Sequence, residues 1–456
     1  MRLRVAFAIS GMALLAALVF PHFLPSEAAL ALALAVFALG LWATAAVAEY
    51  WTALAFFLLA VIFRIAPPQV VFSGFTSSTF WLLFGGLIIG AAMRHTGLDH
   101  RLGHWLSGAG SLCYAWLIAS IVAFGVALGF VMPSSVGRAV LLMPIVAALA
   151  VRLGYAQGAN GHTGMLLAAA FGSHVPTFAI LPSNVPNMIL AGSAETLYGI
   201  RFGYWDYLWL HFPVLGLLKS LLLVLLVVRL FPDADPLPVK ADRRSVEPMT
   251  PHQRRLGLLL LLCLVLWLTD SLHGIAPAWV SLGAALVCLW PGSGLTGKDT
   301  MNKEVNHASL LFIAGILGLG AVVAYSGLGP LLVDGLTAMF GLSPGGGATH
   351  NAAVLAAIST AVAAATTLPG VPAVMTPSAQ ALADLTGLPL ATVLMTQVLG
   401  FSNVLLPYQS PPLLVAIQLG ALSTAAVTRL CLTLFAATAL VLTPLDLVWW
   451  RLIGWL

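Results

Sequence analysis

The chain has 456 residues, 60% of them hydrophobic and only 7% charged, with a formal net charge of +4. That excess of apolar side chains excludes a water-soluble domain of this size and predicts an all-α polytopic membrane protein, because helices satisfy their own backbone in lipid. The positive balance comes from loop arginines and does not point to nucleic acid, and the four cysteines (Cys113, Cys263, Cys288, Cys431) have neither metal-site nor disulfide spacing.

The amino terminus, Met1-Arg2-Leu3-Arg4 followed by an apolar run, resembles a signal peptide. A second apolar run starts at Ala28 with no domain between, so residues 5–24 read as an uncleaved helix. Spans follow at 28–48, 50–66 and 80–97. Region 111–150 carries a polar tip, Met132-Pro133-Ser134-Ser135-Val136-Gly137-Arg138, and reads as a re-entrant hairpin. Residues 161–192 form a span broken at Leu181-Pro182-Ser183-Asn184-Val185-Pro186-Asn187, and 208–231 closes the first half. The second half offers 256–272, 275–291 and 308–327, then a hairpin at 348–385 with the tip Thr366-Thr367-Leu368-Pro369-Gly370. A span at 388–418 is broken at Leu406-Pro407-Tyr408-Gln409-Ser410-Pro411-Pro412, and 423–443 is the last. The expected fold is thus about eleven transmembrane helices plus two re-entrant hairpins.

Orientation follows from the basic residues. With the amino terminus in the cytoplasm, thirteen Lys and Arg lie inside and three (Arg64, Arg201, Arg451) outside, while Arg138, Lys219 and Arg429 fall at or near membrane depth. The expected setting is the inner (cytoplasmic) cell membrane, with the carboxyl terminus outside. Tyr204, Trp205, Tyr207, Trp209 and Trp449–Trp450 read as interfacial belts.

Shifting the first half by 230 residues aligns Gly85–Leu98 with Gly315–Leu328, with six identities in fourteen positions. Five spans per half, an odd number, would place the second copy upside down. The expected organisation is an extra helix at 1–27, a first repeat at 28–231, a cytoplasmic linker at 232–255, an inverted second repeat at 256–443 and an outer tail at 444–456.

The breaks, the hairpins and the Gly-rich segment LLFGGLIIGAAMRHTGLDHRL resemble the divalent anion:sodium symporter family, from about residue 28 to 443. The resemblance implies carriage of di- or tricarboxylates or sulfate, sodium as a coupling ion, and a homodimer in which a transport domain moves as an elevator against a scaffold domain. Where that family carries Ser-Asn-Thr at each hairpin tip, this chain has Ser134-Ser135-Val136 and Thr367-Leu368-Pro369. Where the family has a Thr-Pro-Pro-Asn-like turn, the chain has Asn184-Val185-Pro186-Asn187 and Ser410-Pro411-Pro412-Leu413.

A half-helix starting at mid-membrane presents free N–H groups that favour an anion, and one ending there presents carbonyls that favour a hard cation. The expected substrate site therefore joins Ser134, Ser135, Val136 and Arg138 to Asn184, Pro186 and Asn187, with Thr367, Ser410 and Pro411 from the second half. Cation ligands are expected among Ser134, Ser135, Ser183, Asn184, Thr366, Thr367 and Gln409, with no other metal and no organic cofactor. Arg138 is expected to grip the anion through two parallel hydrogen bonds and to replace part of what sodium contributes. The bland alternatives are plain kinks at the breaks, an Arg138 that caps carbonyls, a core histidine at His174, a packed Lys219 and a snorkelling Arg429.

The partners expected are a small anion, lipid and a second copy, without nucleic acid. An intramembrane enzyme lacks its motifs here, because there is no zinc-binding pair and no serine with a base in sequence. A cation/proton antiporter of the related ion-transporter superfamily is the nearer alternative, but it would want an acidic residue at the breaks, which carry none.

Overall fold

Apolar runs without water to pair their backbones have helix as their one open-chain solution, and the chain takes it wherever proline and glycine allow. The computed structural model describes residues 2–44, 46–98, 113–132, 134–235, 248–327, 342–365 and 367–456. Among these there are helices and no strand, and six helices are long and apolar enough to cross a membrane.

The first half begins with α1 (Arg2–Val19), α2 (Ser26–Thr44), α3 (Glu49–Ile62) and α4 (Ser78–Thr96). It continues through α5 (Tyr114–Val131), α6 (Ser135–Arg152), α7 (Asn160–Gly172) and α8 (Val185–Tyr198) to the long α9 (Tyr204–Leu230). The second half runs α10 (Pro251–Leu268), α11 (Pro277–Leu289), α12 (His307–Tyr325), α13 (Ala348–Ala365), α14 (Gly370–Met375) and α15 (Ala379–Thr386). It ends with α16 (Leu390–Phe401), α17 (Pro411–Leu419) and α18 (Thr424–Leu452). Two of these helices contain a widened π turn, Phe212–Leu218 in α9 and Thr438–Leu442 in α18.

Small residues let backbones meet closely, the packing mode that membrane helices rely on. A Cβ at Gly85 of α4 would lie 2.5 Å from Ser281 Oγ of α11, and one at Gly315 of α12 would lie 2.6 Å from Ala53 Cβ of α3. The two aligned glycines thus each seat their helix against a helix of the other half. The halves cross again deeper in, where α6 packs on α17 and α8 on α14.

The linker's first residues are docked rather than loose. Asp233 Oδ2 accepts from Gly161 N at 2.7 Å, Asp235 Oδ1 from Tyr114 N at 2.9 Å, and Tyr155 OH donates to Ala234 O at 2.9 Å. The rest of the linker read from sequence, through residue 247, lies outside the described residues.

Three expectations need correction. The last helix does not stop near 443 but runs to Leu452, because Pro444 sits in a turn that needs no N–H and the apolar run continues. Trp450, expected in an interfacial belt, is fully buried beside His211, with ring centres 5.7 Å apart. Tyr204 and Tyr207 are buried too, whereas Trp205 and Trp209 remain about half exposed, as a belt would be.

Candidate functional site

The first broken segment is longer than its sequence suggests. Pro176 cannot donate a helical hydrogen bond and disfavours helix at the residue before it, so α7 ends at Gly172 with Ser173 as its C-cap. Two 3-10 turns follow, Pro176–Ala179 and Leu181–Ser183, before α8 restarts with Pro186 in its first turn. His174 lies inside the break.

Backbone freed in this way must find partners at such depth. Asn187 Nδ2 donates to Phe178 O and Ile180 O, both at 2.9 Å, and Tyr207 OH reaches Phe178 O at 3.0 Å. Arg138 supplies the rest. Its Nε donates to Ser173 O at 2.7 Å, one Nη to Met132 O, and the other to Thr177 Oγ1 at 2.9 Å and Ser183 O at 3.1 Å. The guanidinium is completely buried and ties the first hairpin tip to both ends of the break. The two-pronged grip on a substrate anion expected from sequence is therefore not what these donors make, because four of its five N–H directions are committed to the chain.

The second break spans Ser402–Ser410 between α16 and α17. Gln409 Oε1 accepts from Leu405 N and Leu406 N, each at 2.8 Å, and Gln409 O accepts from Leu368 N at 3.3 Å, so the second tip meets the second break. Lys219 donates from α9 to the backbone carbonyl of Ser402 at 2.7 Å.

His174 joins the two breaks. Asn184 turns its Nδ2 to Thr177 Oγ1 at 3.0 Å, so its Oδ1 receives His174 Nδ1–H at 3.1 Å. That tautomer leaves His174 Nε2 to accept from the Ser410 hydroxyl at 2.7 Å. A continuous polar path thus runs Arg138–Thr177–Asn184–His174–Ser410 across the two halves. Because Asn184 and Ser410 spend their side chains on His174, neither caps its own helix, and α8 and α17 begin without a side-chain cap. Nearby, Ser183 Oγ, Asn187 Oδ1 and Gln409 Nε2 are buried and meet no hydrogen-bond partner among the described residues.

Of the remaining expected residues, Ser134 caps α6, its Oγ accepting from Gly137 N at 3.1 Å. Ser135 is buried, and Val136 at the same tip is 39% exposed. Pro186 and Pro411 stand in the first turns of α8 and α17, Thr367 is half-buried at the second tip, and Thr366 lies outside the described residues. A sodium ion at a half-helix C-terminus would need the carbonyls of Ser173 or Ser402, and both are met by side-chain cations. The residues present do not fit sodium at those two ends.

Sequence reasoning missed Thr177 and Asp446. Pro176 was the available signal for the first, since it moves the break onto Thr177. Asp446 is completely buried on α18, where neither side-chain oxygen meets a hydrogen-bond partner among the described residues. The sequence reading places it in a tail, and the apolar run on either side was the signal that its helix continues.

The model of the citrate transporter family matches residues 39–396. A membrane protein of Cupriavidus necator is 27% identical over 357 residues, 72% of this chain and 67% of the relative. An uncharacterized transporter of Haemophilus influenzae is 22% identical over 329 residues, 68% of each. The crystal structure of the Alcanivorax borkumensis YdaH transporter, described as having an unusual topology, superposes with a TM-score of 0.57 at 15% identity, over 84% of this chain and 87% of that one. At that identity the likeness speaks to fold alone. These matches support a transporter of the ion-transporter superfamily without singling out the divalent anion:sodium symporters that the sequence resembles.

Proposed function

The chain belongs to the citrate transporter family, and from that premise we propose that it carries citrate or a related small di- or tricarboxylate across the membrane by alternating access. The family and the transporter relatives point to a secondary transporter rather than an enzyme. The observation that carries the anionic substrate is the pair of uncapped helix starts, α8 and α17, held side by side by His174, with Arg138 fixed behind them. The positive ends of two helix dipoles favour carboxylate there, with amide N–H groups offered by α8 alone, since Pro411 and Pro412 carry none and Leu413 N returns to Ser410 O, and the cation behind them deepens the potential without touching the ligand. Asn187 Oδ1 and Gln409 Nε2 supply unspent polar atoms at the same place.

The inverted repeat supports alternating access in this reading. Gly85 and Gly315 occupy matched close contacts, and each broken helix pairs with the hairpin tip of its own half. The elevator movement, the homodimer and the inner-membrane orientation with the carboxyl terminus outside belong to the same proposal. Its test is uptake of labelled citrate, succinate and sulfate into proteoliposomes. Accumulation of citrate, competed by tricarboxylates, is expected; no uptake of any of the three anions would refute it.

A second reading, cation/proton antiport, is favoured by one observation, the buried Asp446 near Lys219. It predicts that adding sodium or potassium outside acidified vesicles moves protons without any carboxylate present.

A further inference from the structure

The two half-helices that end inside the protein, α7 and α16, stop in the same way. Each is C-capped by a serine, Ser173 or Ser402, whose N–H closes on its own helix while its carbonyl points onward. Ser173 O accepts from Arg138 Nε at 2.7 Å, and Ser402 O accepts from Lys219 Nζ at 2.7 Å. Arg138 reaches its serine from α6 and Lys219 from α9, two helices that sequence alone does not pair. Both cations are buried, at 0% and 1% exposure.

The C-terminal end of a helix concentrates negative partial charge and exposes carbonyls, which makes it the usual seat of a coupling cation in broken-helix transporters. Here both seats hold a cation bonded covalently to the chain. The hydrogen bonds of Arg138 all go to carbonyls and a hydroxyl, so its guanidinium is held by dipoles alone, and an anion nearby is what would neutralise it.

We propose that Lys219 is a second tethered cation, doing at the end of α16 what Arg138 does at the end of α7, and that together they take the place of a coupling sodium. The transport consequence, anion movement without sodium, rests on the transporter reading above. The occupancy of the α16 end does not, and it can be tested without substrate.

The test is thermal unfolding of purified protein in sodium chloride against choline chloride. Wild type should unfold at the same temperature in both salts. Lys219→Ser, which removes the ammonium and leaves room beside Ser402 O, should unfold earlier in choline and recover part of the loss in sodium. Lys219→Arg should behave as wild type. Wild type stabilised by sodium, or Lys219→Ser indifferent to the choice of salt, overturns the proposal. Should Lys219→Ser not assemble, Lys219→Gln serves instead: it also removes the ammonium, and the same greater loss in choline than in sodium is expected, with indifference to the salt overturning the proposal. Citrate uptake in the two salts is measured alongside: equal wild-type uptake supports sodium-free transport, sodium-dependent uptake overturns it, and zero uptake in both refutes the transporter reading alone.

Discussion

Arg138→Met is the sharpest perturbation of this architecture. The substitution keeps an unbranched apolar stem but not the guanidinium, and removes four hydrogen bonds, to Ser173 O, Met132 O, Thr177 Oγ1 and Ser183 O. Bonds from a charged donor contribute about 1.5–3 kcal/mol each, so the gross loss is roughly 6–12 kcal/mol. Against this, a charge no longer has to be held at membrane depth, which offsets about 3 kcal/mol. The net loss is roughly 3–9 kcal/mol, and at about 2 °C per kcal/mol for a large domain the unfolding temperature should fall by roughly 6–18 °C. Intrinsic tryptophan fluorescence on heating in detergent reads this directly. Arg138→Lys should recover less than half of the drop, because an ammonium cannot span four acceptors set around a planar fork. A fall of less than about 2 °C in Arg138→Met, together with lost citrate uptake, would refute the reasoning and restore Arg138 as a direct ligand of the anion.

Three further outcomes follow from the same geometry. Asn184→Ala should abolish uptake while lowering stability by only about 2 kcal/mol, two neutral hydrogen bonds' worth, with both read on one preparation. In a background lacking the exposed Cys113, Val136→Cys and Thr367→Cys should react with a membrane-impermeant thiol reagent from opposite sides; labelling from one side only would sink the inverted hairpins. Gly400→Ala should force α13 and α16 apart, since its Cβ would lie 2.3 Å from Ser359 Cβ. The expected loss is about 1–3 kcal/mol by thermal unfolding, and Gly283→Ala, which meets open space, is the control.

Much of the site was legible because proline announces itself. Pro182, Pro186, Pro411 and Pro412 cannot sit inside a helix without freeing backbone, so both breaks could be read from the chain. Where the unwinding begins was less plain, since Pro176 acts on Val175 and the helix then gives way back to Ser173. The partners of the freed groups were beyond sequence. His174 meets Ser410 from 236 positions away, and Lys219 meets Ser402 from 183. No local pattern encodes a contact closed only by the packing of two halves. Asp446 illustrates the same limit, because a carboxylate near a chain end reads as surface until the helix carrying it is seen to turn it inward.

The widened turns in α9 and α18 bear on how such a core can change. Lys219 is the first residue after one of them, and Asp446 lies on the turn following the other. A turn that accommodates one extra residue rotates everything beyond it by about 100°. Lys219 is aimed at Ser402 by chain length as much as by its own identity. Loss of one codon between Phe212 and Leu218 would swing the ammonium off its carbonyl with every side chain of the flank unchanged, and a one-codon gain elsewhere could bring a different residue into the same seat. In a lineage of such helices, insertions and deletions of one residue would re-aim charge faster than substitution can.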